Sequence, residues 1–243
     1  MIKFWFEKIQ KPIIGLAPMH GFTKSEFRLL CRQSGADVVY SEMVASEGII
    51  RRAPKVMEML DICKEERPVV IQIFGNNPES MAKAARIIEE EIKPDGIDIN
   101  FGCPVQKAGK QGFGAIQLNN PEKAAEIVMA VSKVLKTTPL SVKIRFPSKN
   151  IEDTINFVEV IKKAGAKLVA IHGRTLTQKY RGQADWEHIQ KVKDSFPDFP
   201  ILGNGDIRSL DDLKKNIGSL DGVLVGRAAK IRPAVFQELR VIK

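Results

Sequence analysis

The sequence predicts an α/β fold, a (β/α)8 TIM barrel built by a single domain over residues 1–243. Eight short apolar runs alternate along the chain with longer amphipathic segments of helical length. The runs are rich in β-branched and aliphatic residues, as expected of parallel strands that are covered on both faces. The chain length of 243 residues suits one such barrel, for which about 250 residues are typical.

The eight apolar runs are the candidate strands of the barrel. In chain order they occupy residues 13–19, 37–43, 69–75, 96–102, 140–146, 168–174, 200–206 and 222–228. A doubly wound open sheet is the main alternative, since it also alternates strands with helices. The glycine-rich fingerprint typical of its first turn is missing from this sequence.

The segments between the strands carry helix signals at their ends. Asn-Pro-Glu opens two of them, at Asn77 and Asn120, as capping residues and early acidic residues do. The helices are predicted over residues 25–35, 77–92, 120–135, 151–166, 186–195, 209–217 and 233–243. The segment 45–60 is interrupted by Gly48 and Pro54, so an irregular path is expected there.

The charge of the chain favours an anionic partner. Thirty-eight Lys and Arg residues stand against 29 Asp and Glu residues, which gives a formal net charge of +9. Nucleic acid is the first candidate for such a partner. Because the positive residues are dispersed, a basic protein without a polyanionic partner is the alternative.

The three cysteines point to a reducing compartment, and we expect a cytoplasmic protein. Cys31, Cys63 and Cys103 are widely spaced and odd in number, so a disulfide framework is not expected. No signal-peptide pattern and no apolar run of about 18 residues is present, so no membrane association is expected. No pair of His or Cys residues has zinc-ligand spacing, so no metal site is predicted.

Polar residues and glycines gather where the predicted strands end, which is where barrel enzymes hold their active sites. Asn204-Gly205-Asp206 and Gly226-Arg227 end the last two strands. Glycines allow backbone N–H groups to approach an anion closely, and a phosphate site after strands seven and eight is common in these barrels. We therefore predict a phosphate site there; ordinary turns are the alternative explanation of the same glycines.

Two cations and one histidine lie inside or at the end of predicted strands. A buried lysine is unfavourable unless it is paired, so Lys143 indicates a salt bridge to Glu42, Asp98 or Asp206, or a cation beside an anionic cofactor. Arg145 points to the same side of its strand. His172 is interpreted as a ligand-binding residue, although a lone histidine on a strand is often a core residue. Cys103, at the end of the fourth strand, is either a small packed residue or a reagent.

Eight segments together resemble the tRNA-dihydrouridine synthase family. They are APM at 17–19, QIFG at 72–75, NFGCPVQK at 100–107, GFGA at 112–115, VKIR at 142–145, HGRTLTQKYRGQADW at 172–186, NGDI at 204–207 and VGRA at 225–228. They occur in order from about residue 13 to residue 229, so the resemblance covers nearly the whole chain.

The resemblance implies a flavin-dependent oxidoreductase that reduces the C5–C6 double bond of a uridine in tRNA, with FMN as cofactor and NADPH as electron donor. It implies that Cys103 is the proton donor to C5, a task for which the thiol must stay protonated near neutral pH. The implied FMN contacts are Ala17, Pro18, Met19, Gln72, Lys143 and His172, with Asn204, Gly205, Asp206, Gly226 and Arg227 at the phosphate. The implied uracil contacts are Asn100, Arg145 and Tyr180.

One departure from the family pattern concerns the carboxyl terminus. Most members continue into a helical domain that grips tRNA, whereas this sequence ends at Lys243. We therefore expect a barrel without that domain, either a fragment or a minimal form, with no obligate protein partner. Two other functions remain open: a different FMN barrel oxidoreductase with a small substrate, and an RNA-binding barrel without catalysis.

Overall fold

The computed structural model describes residues 4–103 and 113–242. The quoted residues 104–107 and Gly112 therefore lie outside the described residues. Eight parallel strands close into a barrel in which each strand pairs with its sequence neighbours and β1 pairs with β8. The strands are β1 Ile13–Leu16, β2 Val38–Ala45, β3 Val69–Phe74, β4 Gly96–Phe101, β5 Leu140–Phe146, β6 Leu168–Thr175, β7 Ile201–Asn204 and β8 Gly222–Val225. The barrel prediction is confirmed, and the open sheet is excluded.

The described helices surround the barrel. They are α1 Ser25–Gln33, α2 Ser46–Ile50, α3 Pro54–Glu58, α4 Pro78–Ile87, α5 Pro121–Val134, α6 Ile151–Lys163, α7 Trp186–Ser195, α8 Leu210–Asn216, α9 Arg227–Ile231 and α10 Val235–Leu239. The predicted caps of α4 and α5 are present, since Asn77 accepts a hydrogen bond from Ser80 N–H and Asn120 from Lys123 N–H. The irregular segment 45–60 holds α2 and α3.

Of the elements with predicted bounds, β5 and α7 match them, and the others differ by one residue or more. Strands β1 and β8 end three residues before their predicted ends, and β7 ends two residues before its predicted end. Strand β7 stops there because Gly205 and Asp206 turn the backbone into the left-handed region, with φ of 126° and 56°. Helix α4 continues as a π-helical turn, Ile88–Ile92, that ends at Lys93 with a left-handed φ of 53°. The predicted last helix is instead α10 followed by a 3-10 turn, Arg240–Ile242. No described helix is long and apolar enough to cross a membrane.

The barrel interior has an apolar floor and a polar upper layer. Trp5 and Phe6, from a 3-10 turn before β1, pack with buried residues such as Tyr40, Leu168 and Leu202. Gly96 leaves room for the Trp5 indole, because a Cβ there would lie 2.9 Å from the indole nitrogen. Further along the strands the buried residues become polar, namely Gln72, Asp98, Asn100, Ser141, Lys143, Arg145, His172 and Asn204.

A buried ion pair joins α1 to the turn before β3. Arg28 Nε donates to Glu66 Oε2 over 2.7 Å, and both side chains are almost fully buried. The remaining guanidinium hydrogens reach the carbonyl oxygens of Thr23 and Asp61. The pair therefore anchors two segments that enter the barrel, and it leaves few polar atoms of Arg28 without a partner.

We predict that Arg28→Met lowers the free energy of unfolding by about 3–5 kcal/mol, because it leaves Glu66 as an unpaired buried charge. Chemical denaturation measures the change. Arg51→Met is the matched control, because Arg51 pairs with Glu47 at 3.8 Å on the exposed surface. Such a pair contributes at most about 1 kcal/mol. Equal losses of unfolding free energy in the two variants would show that the buried pair stabilises the protein no more than the exposed pair does.

Candidate active site

A cavity of about 960 Å³ opens at the carboxyl ends of the strands. All residues assigned to the site from the sequence line it: Ala17, Pro18, Met19, Gln72, Asn100, Cys103, Lys143, Arg145, His172, Tyr180, Asn204, Gly205, Asp206, Gly226 and Arg227. The structure therefore brings together residues that are up to 210 positions apart in the sequence, Ala17 and Arg227. Their individual roles do not follow from this position alone.

Lys143 lies at the buried end of this cavity and is held by an amide. Its Nζ donates to Asn204 Oδ1 over 3.0 Å, and Asn204 Nδ2 donates in turn to the carbonyl oxygen of Leu224. Within the described residues, no ion pair joins Lys143 to Glu42, Asp98 or Asp206. Burial, with the charge of Arg145, lowers the pKa of Lys143 to about 8. The site thus holds a cation that lacks a bonded counter-charge.

His172 is neutral in this environment. Burial, followed by the positive charges of Lys143 and Arg145, holds the pKa of His172 well below its usual range. Arg174 Nη1 lies 3.2 Å from His172 Nε2, and a guanidinium can only donate a hydrogen bond. Nε2 is therefore the acceptor, and the ring proton is on Nδ1. The His172 ring also lines the cavity.

Arg174 is a site residue that the sequence reasoning did not select. Its side chain is 1% exposed, and its Nη2 donates to Asp206 Oδ2 over 2.6 Å and to the Gly182 carbonyl oxygen over 2.7 Å. It thus joins the segment after β6 to the end of β7 while it also contacts His172. The position of Arg174 inside a predicted strand could have identified it, because a buried guanidinium group needs several hydrogen-bond acceptors nearby.

The ends of β7 and β8 present backbone groups and arginine side chains to the cavity. The carboxylate of Asp206 is already engaged, accepting from Ala184 N–H, Arg174 and Arg227. Burial opposes ionisation of Asp206, but these bonds lower the pKa of the carboxyl overall. Arg208 and Lys230, which the sequence reasoning missed, also line this part of the cavity. This end is therefore strongly cationic, with the Asp206 side chain orienting Arg227.

The backbone on both sides of Cys103 is held by several hydrogen bonds. Asn100 Oδ1 accepts from Gly102 N–H at 3.1 Å and from Cys103 N–H at 2.9 Å. The Cys103 carbonyl oxygen accepts from Ala115 N–H at 3.1 Å, and Arg145 Nε donates to the Gly102 carbonyl oxygen at 2.9 Å. The cysteine therefore has a defined place at the cavity wall.

Gly114, the third residue of the GFGA segment, occupies a position that requires glycine. It has a left-handed φ of 75°, and a Cβ there would lie 3.0 Å from the Cys103 carbonyl oxygen and 3.1 Å from the Cys103 Cβ. A side chain at this position would therefore displace the cysteine.

Tyr180 lies at the cavity mouth. The ring is 59% exposed, and the guanidinium carbons of Arg145 and Arg227 lie 5.3 Å and 5.8 Å from its centroid. Arg145 itself is buried and donates to the carbonyl oxygen of Lys179 over 2.7 Å, so it fixes the segment that carries the ring. The exposed ring can stack against a planar group, and the two cations beside it suit a ligand that also carries negative charge.

A sequence model of the dihydrouridine synthase family matches residues 15–243, which is nearly the whole chain. The chain belongs to the dihydrouridine synthase family. The resemblance drawn from the motifs is therefore confirmed.

Named relatives support the family assignment. The chain is 40% identical over 229 residues to a probable tRNA-dihydrouridine synthase of Aquifex aeolicus, covering 93% of this chain and 72% of that protein. It is 36% identical to a probable tRNA-dihydrouridine synthase of Mycobacterium tuberculosis, covering 96% of this chain and 62% of that protein. It is also 36% identical to tRNA-dihydrouridine synthase B of Pseudomonas aeruginosa, covering 92% and 68% of the two chains.

A solved structure with a similar fold is a 2-naphthoyl-CoA reductase in complex with 2-naphthoyl-CoA. Its TM-score is 0.74 over 100% of this chain and 52% of that chain, at 12% sequence identity. At this identity the likeness concerns the barrel fold alone.

The donor set of this dihydrouridine synthase barrel suits an organic anion better than a metal ion. Among the residues that the structure describes, no group of three or more His, Cys, Asp or Glu side chains could hold a metal. The cavity offers amide groups, a neutral imidazole and the cationic nitrogen atoms of Lys143 and Arg227.

We predict that Lys143→Met raises the free energy of unfolding of the ligand-free protein by roughly 1–3 kcal/mol, because it removes a buried charge without a bonded counter-charge. The pKa of Lys143 is about 8 in the folded state against 10.5 as its ordinary value. Between these values the unfolded chain binds more protons, so the wild type gains stability as pH rises and its deficit relative to the variant shrinks. Chemical denaturation from pH 7 to pH 10 measures both effects.

Lys193→Met is the matched control for this prediction. Lys193 is also buried, but it pairs with Asp221 at 2.8 Å and donates to the carbonyl oxygen of Phe199. Its replacement removes the buried cation that pairs with the Asp221 carboxylate, so the control should have a lower free energy of unfolding than the wild type. A loss of stability in Lys143→Met as well would contradict the prediction.

We predict that the His172 ring in the ligand-free protein stays neutral, with its proton on Nδ1, at pH 5.5. Nitrogen-15 NMR of labelled histidine reports the charge and the protonated nitrogen directly. Arg174→Met should allow the proton to occupy Nε2, because the donor at 3.2 Å is removed. Arg208→Met serves as the control, since this exposed arginine contacts Asp206 rather than His172. A charged ring in the wild type at pH 5.5 would be inconsistent with the cavity described above.

Proposed function

We propose that this chain reduces the C5–C6 double bond of a uridine in tRNA to 5,6-dihydrouridine, with bound FMN as the cofactor and NADPH as its reductant. The observation that carries the proposal is the shared cavity of Cys103 and Lys143, in a chain whose family match covers residues 15–243. One residue offers an acidic hydrogen, and the other offers a positive charge without a carboxylate partner. The reaction needs both.

The cavity fits a flavin mononucleotide in its donor chemistry. A buried cation, a neutral imidazole and the Gln72 amide would contact the polar edge of the ring, while Ala17, Pro18 and Met19 would form its apolar side. The phosphate would lie against the backbone of Gly205, Asp206 and Gly226, with the Arg227 guanidinium beside it. A Cβ on Gly226 would meet Met19 and Ala17 only at 3.6 Å and 3.7 Å, so the backbone there is accessible.

When bound, FMN would supply the hydride that reaches C6 of the uracil. The chain supplies the matching proton: the Cys103 thiol would donate it to C5, which is general acid catalysis. Lys143 would hold positive charge at the buried end of the cavity, where a cofactor that gains electrons becomes more negative. Because Asn204 rather than a carboxylate holds Lys143, its charge is available to a ligand.

The uracil would be held by Asn100, Arg145 and Tyr180. Asn100 lies next to Cys103, since its Oδ1 accepts the Cys103 N–H. Tyr180 offers an exposed ring at the mouth of the cavity, suited to stacking on a base that has left its own stack. Such a base can enter more easily from a tRNA loop than from a helix.

The tRNA phosphates would contact the cationic rim of the cavity. Arg208, Arg227 and Lys230 line the cavity on the side of β7 and β8, and the chain as a whole carries a net charge of +9. Neutralisation of phosphates by such residues makes binding dependent on salt. The reaction would take place in the cytoplasm, where tRNA is modified, in the single domain 1–243 and without a second protein chain.

Two experiments test the proposal against its alternatives. Mapping dihydrouridine in tRNA from cells with and without the gene should show the loss of at least one modified position. The purified protein should be yellow and should show a flavin spectrum. Unchanged tRNA with a yellow protein would favour an FMN oxidoreductase with a small substrate. Unchanged tRNA with a protein that is unable to take up FMN would favour an RNA-binding barrel without catalysis.

We predict that Cys103→Ala slows uridine reduction by about 10²–10⁴-fold, the usual contribution of a general acid. Flavin content and the rate of flavin reduction by NADPH should stay close to wild type, because the thiol acts only in the second half-reaction. Stopped-flow absorbance separates the two half-reactions. Cys63→Ala is the matched control, since Cys63 lies in the turn before β3 and does not line the cavity. Equal losses in both half-reactions would assign Cys103 to the fold instead.

A further inference from the structure

A chain of side-chain hydrogen bonds crosses the upper layer of the barrel and ends at the cysteine. Ser141 Oγ donates to Asp98 Oδ1 at 2.6 Å, and Gln72 Nε2 donates to Asp98 Oδ2 at 2.7 Å. Asn100 Nδ2 donates to Gln72 Oε1 at 2.8 Å. Asn100 Oδ1 then accepts the backbone N–H of Cys103 at 2.9 Å. Three neighbouring strands, β3, β4 and β5, supply these side chains.

The two ends of this chain fix its direction. An ionised carboxylate accepts hydrogen bonds but cannot donate them, and a backbone N–H donates but cannot accept. Gln72 must therefore turn its NH₂ group toward Asp98, which leaves its oxygen for the NH₂ group of Asn100. The oxygen of Asn100 then faces the N–H groups of Gly102 and Cys103. Reversal of either amide would place two donors or two acceptors against each other.

We propose that Asp98 is a positioning residue: through Gln72 and Asn100, its carboxylate orients the amide that holds the backbone of Cys103. This inference rests on the proposed function, in which Cys103 donates the proton. Asp98 is fully buried and does not line the cavity, so it acts only through the two amides. Among the side chains of this chain, the carboxylate is the one whose direction no flip can change.

Charged and titratable neighbours of Asp98 leave it ionised at neutral pH. Burial raises the pKa of Asp98 to about 6, while the bonds from Ser141 and Gln72 and the charge of Lys143 oppose the increase. Tyr40, on β2, also faces Asp98, and burial raises the pKa of its hydroxyl well above the usual value. Tyr40 is therefore uncharged, and Lys143 acts on Asp98 only as a nearby positive charge, without a bond between the two side chains.

Reversal of the chain by two substitutions tests the proposal. Asn100→Asp alone places Gln72 between two carboxylates, so one of them loses its donor. Asp98→Asn together with Asn100→Asp restores a complete chain with the Gln72 amide turned round, and it keeps the net charge of the wild type. Asp98→Asn alone can keep the original direction, because its amide oxygen can face Gln72 while its NH₂ group faces Ser141.

The decisive comparison is between Asn100→Asp and the double variant, because both carry the same change next to the uracil. The first measurement is the pH dependence of alkylation of Cys103 by iodoacetamide, quantified by mass spectrometry on the flavin-loaded protein. The second is the rate of a single turnover of uridine reduction by pre-reduced protein. A buried acceptor without a donor is unfavourable enough to change such rates by about tenfold or more.

We expect the double variant to exceed Asn100→Asp about tenfold in the single-turnover rate, and its alkylation profile to return toward that of the wild type. Ser141→Ala, which removes one bond to Asp98 without changing the direction of the chain, should stay within about threefold of the wild type. A double variant no better than Asn100→Asp in either measurement would overturn the proposal. If Asn100→Asp does not fold, recovery of a flavin-binding double variant supports the proposal, and failure of both overturns it.

The two proposals fail in different ways. Absence of uridine reduction in the wild type, together with a restored alkylation profile in the double variant, would remove the proposed reaction and leave the positioning role intact. Uridine reduction in the wild type without recovery in the double variant would support the proposed reaction and remove the positioning role of Asp98.

Discussion

Closure of the eight strands directs alternate side chains into one narrow interior, and the upper part of that interior holds a lysine without a bonded carboxylate. Lys143 touches Asn204 and lies near Asp98, and its burial lowers its pKa. The charge states of the polar groups around Lys143 follow from the need to limit positive charge in this buried space. A neutral His172 adds no further positive charge, and Asp98 supplies negative charge at a distance.

This arrangement is unfavourable in the ligand-free protein, and the proposed anionic cofactor would supply the negative charge that Lys143 lacks. A buried ion pair elsewhere in the same barrel, Lys193 with Asp221, shows how the chain satisfies a lysine whose task is structural. The difference between the two lysines is the absence of a bonded carboxylate at Lys143. Under the proposed function, binding of the anionic cofactor would recover the stability that the ligand-free protein lacks at Lys143.

The strands and the location of the site could be predicted from the sequence, because both follow from simple rules. Apolar runs of strand length mark the barrel, and a barrel gathers polar residues such as Lys143 and Cys103 at its carboxyl end. The interactions within the site could not be predicted in this way. Arg174 depends on loop atoms more than six residues away, and the tautomer of His172 depends in turn on Arg174. Asn100 was assigned to the uracil, yet its oxygen also holds the backbone of Cys103.

The bond from Ala115 N–H to the Cys103 carbonyl oxygen, 3.1 Å long, fastens the 3-10 turn Gly114–Asn119 to the segment that follows the end of β4. Cys103 is therefore held from two directions, by the Asn100 amide on β4 and by Ala115 from twelve positions later in the sequence, so a change at one of these contacts leaves the other in place.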